Sequence, residues 1–398
     1  MQKPFDHRVS AIWIAAALAG AASLSAFAQA PSTPPADAAG LLVYIGTYTG
    51  AKSKGIYVSR LDLKSGALST PELAAETASP SFLAVHPTRP LLYAVNEVSS
   101  FAGNATGSVS AFGIDRATGR LTLLNQESSG GAGPAHLTVD AAGRNVLVAN
   151  YGGGSVSVLP LDAQGRLQPS SAFVQHTGSS VNPQRQKEPH AHAIVVDADD
   201  RFAYVPDLGL DKIMIYRFGP AKGTLAPATP PFAAVAPGSG PRHIALHPRR
   251  PYAYVINEIL CTVTAFSRDA AGGGLTELQT LSSLPPGQTV QAGYSTAEII
   301  VHPSGRFVYG SNRGHNSLSA FAVDDKTGTL TFIENQPTQG RTPRGFNIDP
   351  SGTFLIAGNQ QSDSVVVFRI DPQTGRLTPT GQPIEVGAPV SIAFVPVR

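Results

Sequence analysis

The sequence predicts an all-β fold: a seven-bladed β-propeller of four-stranded antiparallel blades, closed by pairing of its N- and C-terminal strands. Three observations predict it. A strand–turn–strand phrase returns along the chain at roughly 45–55 residues, the size of a propeller blade. Each copy runs on into two more short strands with tight-turn chemistry, and no window shows a helical period. The two chain ends carry complementary parts of one further copy.

Taken in order, residues 1–28 read as an export signal. Lys3 and Arg8 give a positive start, Ala11 to Leu24 is apolar, and Ala26-Phe27-Ala28 puts small residues before Gln29. The apolar stretch is shorter than the roughly 20 residues of a spanning helix. Cleavage would leave a periplasmic or secreted protein with no membrane attachment. Residues 29–40 form a Pro- and Ala-rich linker, and 41–398 the propeller.

The propeller opens with Leu42 to Tyr48, Gly55 to Asp62 and Gly66 to Leu68, which match second, third and fourth strands without a first. Full copies of the phrase begin at Pro80, Pro134, Pro189, Pro241, about Thr296 and Pro343. Pro389 to Pro396 is a first strand with nothing after it, so the last blade closes from both ends of the chain. Ring closure leaves only short, protected edges.

Composition narrows the function classes. Charged residues are 14% and hydrophobic residues 42%, which suits a large core and excludes a disordered chain. A net charge of +2 supplies no basic stripe for nucleic acid. Cys261 stands alone, so no disulfide forms within the chain, and it reads as a small buried hydrophobe.

In a propeller the first strands line the central channel, and residues that vary within the repeat point to chemistry. At the start of strand one the copies read Pro134-Ala135-His136, Pro189-His190-Ala191-His192, Pro241-Arg242-His243, Thr296-Ala297-Glu298 and Pro343-Arg344-Gly345. Ionisable groups thus sit at one level of five consecutive blades. Strand two ends in a recurrent Asn with a structural job, its amide bonding a neighbouring loop. Asp207 replaces that Asn in one copy, while Glu258 and Arg313 follow it in two others, and Glu97 reads as a rim residue. His86, His247 and His302 hold a fixed place late in strand one and read as turn residues. A GxSxG elbow, an HExxH pair, a phosphate loop and a calcium loop are all missing.

Gly46-Thr47-Tyr48-Thr49, Pro134-Ala135-His136, Ala149-Asn150-Tyr151, Pro189 to His192, Asp207-Leu208-Gly209, Gly240 to His243, Asn257-Glu258, Ala297-Glu298, Ser311 to Gly314 and Pro343-Arg344 together resemble the seven-bladed propeller lactonases. That family holds 6-phosphogluconolactonases and carboxy-cis,cis-muconate cyclases, and the likeness covers nearly all of residues 41–398. It implies lactone chemistry without metal or cofactor. It also implies a catalytic set of His192 (with His190 as rival), Arg242, Glu258 and Arg313. His136, His190, Asp207, His243, Glu298 and Arg344 are the expected substrate-binding residues. Alternation along a strand puts His190 and His192 on one side, so spacing does not choose between them.

The leading expectation is a carboxylic ester hydrolase of carbohydrate metabolism. It would open a sugar-acid lactone by His-assisted attack of water, with Arg stabilising the oxyanion. An export signal fits an unphosphorylated sugar lactone better than a cytosolic phosphate ester. The alternatives are a carboxymuconate-type lactonizing cyclase, a calcium lactonase using Asn150, Asp207, Asn257 and Glu258, and a non-catalytic exported binding module. The expected partner is a small lactone or sugar acid, bound by a monomer or weak dimer.

Overall fold

A computed structural model describes residues 40–397. The export signal at 1–28 and nearly all of the linker at 29–40 lie outside the described residues. Short runs rich in Val, Ile, Leu and Tyr, bounded by Gly, Pro and Asp turns, favour short strands over helices.

Seven sheets result, each with four strands in antiparallel meander order. Blade 1 combines Pro389–Pro396 with Gly40–Thr47, Gly55–Asp62 and Glu72–Glu76. Blades 2 to 7 begin on the inner strands Leu83–Val85, Pro134–Val139, Val195–Val196, Pro241–Leu246, Ser295–Val301 and Pro343–Ile348. Blade 7 gains a small fifth strand, Ile384–Glu385, paired with Ser364–Ile370. The expected closure is present: Pro389–Pro396 pairs antiparallel with Gly40–Thr47, from Leu41 opposite Pro396 to Gly46 opposite Ser391. The one helical element among the described residues is the 3-10 turn Gln360–Ser362. No helix among them is long and apolar enough to cross a membrane.

Apolar side chains pack between neighbouring blades. Leu42, Tyr44, Ile56 and Val58 of blade 1 meet Leu92, Ala94, Phe112 and Ile114 of blade 2 in one buried cluster. Polar groups lock the same seams. The buried phenols of Tyr44, Tyr93, Tyr254 and Tyr309 donate to the carbonyls of Gly119, Gly165, Gly328 and Gly375 on the following blade. His86, His247 and His302 are turn residues, as expected, and also ties between blades. Each ring accepts a backbone N–H of its own turn at Nδ1 (Thr88, Arg249 and Ser304), so Nε2 is the donor. Nε2 donates to the carbonyl of Gly143, Gly305 or Gly352 on the next blade, at 3.1, 3.0 and 2.8 Å.

The inner strands share one irregularity that decides where the site lies. In blades 3, 5 and 7 the register against the second strand slips by one residue at the start. Pro241 faces Asn257, yet His243 faces Ile256, so Arg242 is the extra residue. Pro343 and Gly345 leave Arg344 in the same position. A bulge of this kind frees a residue from the ladder and re-aims its side chain. Blade 6 has a related slip between Thr296 and Ile299, the stretch that holds Glu298.

Candidate active site

The inner strands begin, and the second strands end, at the same mouth of the ring. That places the bulged residues beside the residues following the recurrent Asn. Glu258, at the end of Tyr252–Asn257, is the hub and is 4% exposed. Its Oε2 accepts from Arg242 Nε at 3.1 Å and lies 2.9 Å from Arg313 Nη2, while Oε1 accepts from Arg185 Nη2 at 2.6 Å. Burial alone would raise this carboxyl, but Arg313, Arg242 and Arg185 outweigh it and hold it down to about 2. Glu258 is therefore a permanent anion clamped by three guanidiniums.

Each arginine is also fixed elsewhere. Arg242 Nη1 donates to the Ala297 carbonyl at 2.7 Å and to His243 Nε2 at 3.1 Å. Arg313 Nη2 donates to the Thr296 carbonyl at 2.7 Å. Burial, then the charges of Arg344 and Arg313, bring Arg242 down to about 9, still cationic at neutral pH. Arg344 lies 5.3 Å over the Tyr48 ring, and its guanidinium makes no hydrogen bond among the described residues. Tyr48 in turn donates to Glu97 Oε2 at 2.7 Å.

Histidines of three blades meet here. The His243 ring lies 5.2 Å from His136 and 5.3 Å from His192, with Phe82 4.1 Å from His136 as an apolar floor. His192 Nε2 is 3.9 Å from Glu258 Oε2, and its buried Nδ1 has no partner. Burial, reinforced by Arg242, His243 and Arg344, holds His192 well below the usual imidazole value, so its ring is neutral. Similar forces keep His136 and His243 neutral.

His190 and His192 do not share a strand face. The inner strand of blade 4 is only Val195–Val196, and one isolated bridge, Ala191 to Asp207, precedes it. The two rings approach Tyr151 differently: His190 stacks on it at 4.5 Å, and His192 meets it edge-on at 5.0 Å. His190 donates from Nδ1 to the Tyr151 carbonyl and is only half-buried, whereas His192 is buried with the other imidazoles.

Asp207 does not face this cluster. Its Oδ2 binds buried His176 Nδ1 at 2.6 Å, and Oδ1 accepts the His190 and Gly209 amides. His176 Nε2 pairs with Tyr216 Oη at 2.9 Å. Both carboxylate oxygens are thus spent behind the mouth, where they hold the His190 segment, in place of the expected substrate contact. The physical reason is the Asn-to-Asp exchange itself, which turns a donor into an acceptor for His176 and two backbone amides. In other copies the Asn behaves as expected: Asn150, Asn312 and Asn359 donate to the carbonyls of Ser129, Ser283 and Thr338.

The residues named for the calcium alternative are engaged elsewhere, Asn150 with a loop carbonyl and Asp207 with His176. Three guanidiniums at Glu258 would repel a cation. Among the described residues no group of three His, Cys, Asp or Glu side chains is arranged for a metal ion.

Arg185 went unnoticed in the sequence. It comes from the long loop between blades 3 and 4, where Asn182 Oδ1 accepts the amides of Gln184 and Arg185. Buried Gln186 anchors that loop by donating to the Leu208 carbonyl. The length of this inter-blade connection was the only available signal.

Residues 42–394 match the family model "Lactonase, 7-bladed beta-propeller". The chain belongs to this lactonase family. As a lactonase it is an enzyme of the carboxylic ester hydrolase class. It is 37% identical over 306 residues to a 6-phosphogluconolactonase of Bacillus subtilis, covering 77% of this lactonase and 84% of that one. A 6-phosphogluconolactonase of Formosa agariphila is 33% identical over 311 residues, covering 77% and 86% of the two chains. Among solved structures, the periplasmic gluconolactonase of Pseudomonas aeruginosa superposes with a TM-score of 0.84 at 36% identity, covering 90% of this lactonase and all of that chain.

Proposed function

We propose that this lactonase hydrolyses a sugar-acid lactone at the Glu258 mouth. The observation that carries the reading is the clamp of Arg185, Arg242 and Arg313 on Glu258, with neutral His192 beside it and the Arg344 guanidinium unpaired. Water adds to the lactone carbonyl carbon while His192 takes its proton, a task for a neutral imidazole. Charge that builds on the carbonyl oxygen faces fixed guanidiniums, which need no reorganisation to meet it. Glu258 stabilises the imidazolium that forms. The ring C–O bond then breaks, His192 returns the proton to the departing oxygen, and a hydroxy acid leaves. Arg344 receives the anionic or hydroxyl-rich end of the substrate by forked hydrogen bonds.

An unphosphorylated aldonolactone is the proposed substrate, acted on in the periplasm after cleavage of residues 1–28. The signal-like N-terminus and the likeness to a periplasmic gluconolactonase support that choice. The test is acid release from paired lactones, with and without a 6-phosphate, by the parent and by Arg242→Ala. The parent is expected to prefer the unphosphorylated lactone, and Arg242→Ala to lose most turnover while staying folded. Acid release by Arg242→Ala at the parent's rate would remove Arg242 from the reaction.

A further inference from the structure

The hydrogen bonds of the site form one chain through four buried ionisable groups: Glu258, Arg242, His243 and Glu298. A guanidinium has only donors, so His243 Nε2, 3.1 Å from Arg242 Nη1, must be the acceptor. The ring proton therefore sits on Nδ1, which donates to Glu298 Oε1 at 2.7 Å. Both nitrogens of His243 are occupied, leaving neither to offer a substrate. Glu298 is itself held, with its amide donating to Ser311 Oγ at 2.9 Å and Oε1 accepting the Ile299 amide.

We propose that Glu298 is a positioning residue: its carboxylate fixes His243 as the neutral Nδ1–H tautomer, and His243 thereby fixes the Arg242 guanidinium. The proposal rests on the lactone-opening reading of this site. Without a carboxylate at Nδ1, only the single Arg242 N–H at Nε2 opposes the Nε2–H tautomer. That tautomer sets an N–H of the ring against an N–H of Arg242, and two donors facing each other push the guanidinium out of place. A displacement of about 1 Å in a group that meets the reacting carbonyl costs roughly 100-fold in rate.

The arrangement is pH-sensitive, and its sign follows from the neighbours of Glu298. His243 and Arg242 face it from blade 5, His136 from blade 3 and Arg344 from blade 7. Burial pushes the Glu298 carboxyl up to about 7 against the pull of Arg242, His136 and Arg344. Above that value the carboxylate holds the tautomer. Below it the carboxyl takes a proton, its hold on Nδ1–H weakens, and activity falls. Burial holds His136, His192 and His243 well below the usual imidazole value and the arginines hold Glu258 down to about 2, so an acid limb near pH 7 is not theirs.

The experiment has two arms. In the first, kcat and KM of the parent, Glu298→Gln and Glu298→Asp are followed from pH 5 to 9 on an aldonolactone. The parent is expected to show an acid limb centred near pH 7, read in kcat. Glu298→Gln should lose that limb and about 100-fold in kcat with little change in KM, and Glu298→Asp should restore both in part. In the second, imidazole nitrogen spectra of ligand-free, 15N-histidine-labelled protein report the tautomer of His243. They should show Nδ1–H in the parent and loss of that state in Glu298→Gln. An Nε2–H tautomer in the parent, or an acid limb surviving in Glu298→Gln, would overturn the proposal. If the parent opens no lactone, the proposed reaction fails, and the spectra still decide the role of Glu298.

Discussion

Arg185 Nη2 lies 2.6 Å from Glu258 Oε1, and the same nitrogen reaches Tyr151 Oη at 3.2 Å. One guanidinium from an inter-blade loop thus ties a hub carboxylate of blade 5 to an aromatic ring of blade 3. Its side chain is 41% exposed, whereas the other two arginines on Glu258 are buried or nearly so. Arg185 is therefore the part of the clamp that an entering substrate meets first. Arg185→Ala is expected to lower kcat/KM about 10- to 100-fold, the equivalent of one charged hydrogen bond of roughly 1.5–3 kcal/mol. Thermal unfolding should hardly change, because the loop keeps its Gln186 anchor. Parent-like kcat/KM in this variant would exclude Arg185 from the site.

Glu258→Gln tests the hub from the side of stability. Removing the charge leaves Arg185, Arg242 and Arg313 facing one another, and an orphaned buried charge costs about 3–5 kcal/mol. The pH dependence has a definite sign. The folded carboxyl is held to about 2, below its ordinary 4.5. Its contribution is therefore complete above about 4.5 and is lost as pH falls through about 2. The parent should melt several degrees above Glu258→Gln at pH 7, and the gap should narrow progressively as pH falls from about 4.5 through about 2. A gap that vanishes already at pH 5 would contradict the depressed carboxyl.

The blade count, the closure by chain ends and the level of the site were legible because repetition exposes them. A position that is Asn in five copies and Asp in the sixth identifies itself, as does a Pro followed by His or Arg. The direction of each side chain was not legible. His190 and His192 look equivalent at a two-residue spacing, yet blade 4 has almost no inner strand there, so strand alternation does not apply. Asp207 resembled a site residue, but its partner His176 lies 31 residues away in another blade's trailing loop. Arg185 belongs to no repeat unit, and nothing local distinguishes it from the solvated residues beside it. The bulges that free Arg242 and Arg344 are set by pairing with the second strand, a non-local fact.

The ties between blades at the opposite end of the ring give a prediction without chemistry. Gly143 has φ of 65°, and its carbonyl accepts the Nε2–H of the His86 ring of the preceding blade. A Cβ there would overlap that ring, and the left-handed backbone adds strain of its own. Gly143→Ala is expected to cost about 1–3 kcal/mol, read as a lower melting temperature, with kcat unchanged. Gly381→Ala is the control, since an added Cβ meets nothing within 4 Å. Equal melting temperatures for the two variants would deny the His86 tie any part in holding blades 2 and 3 together.

The closing strand makes the sharpest demand on the fold. Pro389–Pro396 buries Val390, Ile392, Ala393 and Val395, and Ser391 Oγ accepts the Leu83 amide of blade 2. Asn347 of blade 7 donates to the Ile392 carbonyl. The strand thus joins blade 1 to both neighbours, and its loss bares Leu41 to Ile45 as an unpaired apolar edge, which invites aggregation. Truncation after Ala388 is expected to abolish cooperative unfolding and to yield insoluble protein. Pro396 pairs with Leu41, however, so a short turn can join residue 397 to residue 40. A permuted chain that begins at Pro389, crosses that turn and ends at Ala388 retains every strand pairing. It should unfold cooperatively within a few degrees of the parent and retain its lactone turnover. If the truncated chain folded and the permuted one did not, the strand would be dispensable and the ring would be held by packing between blades alone.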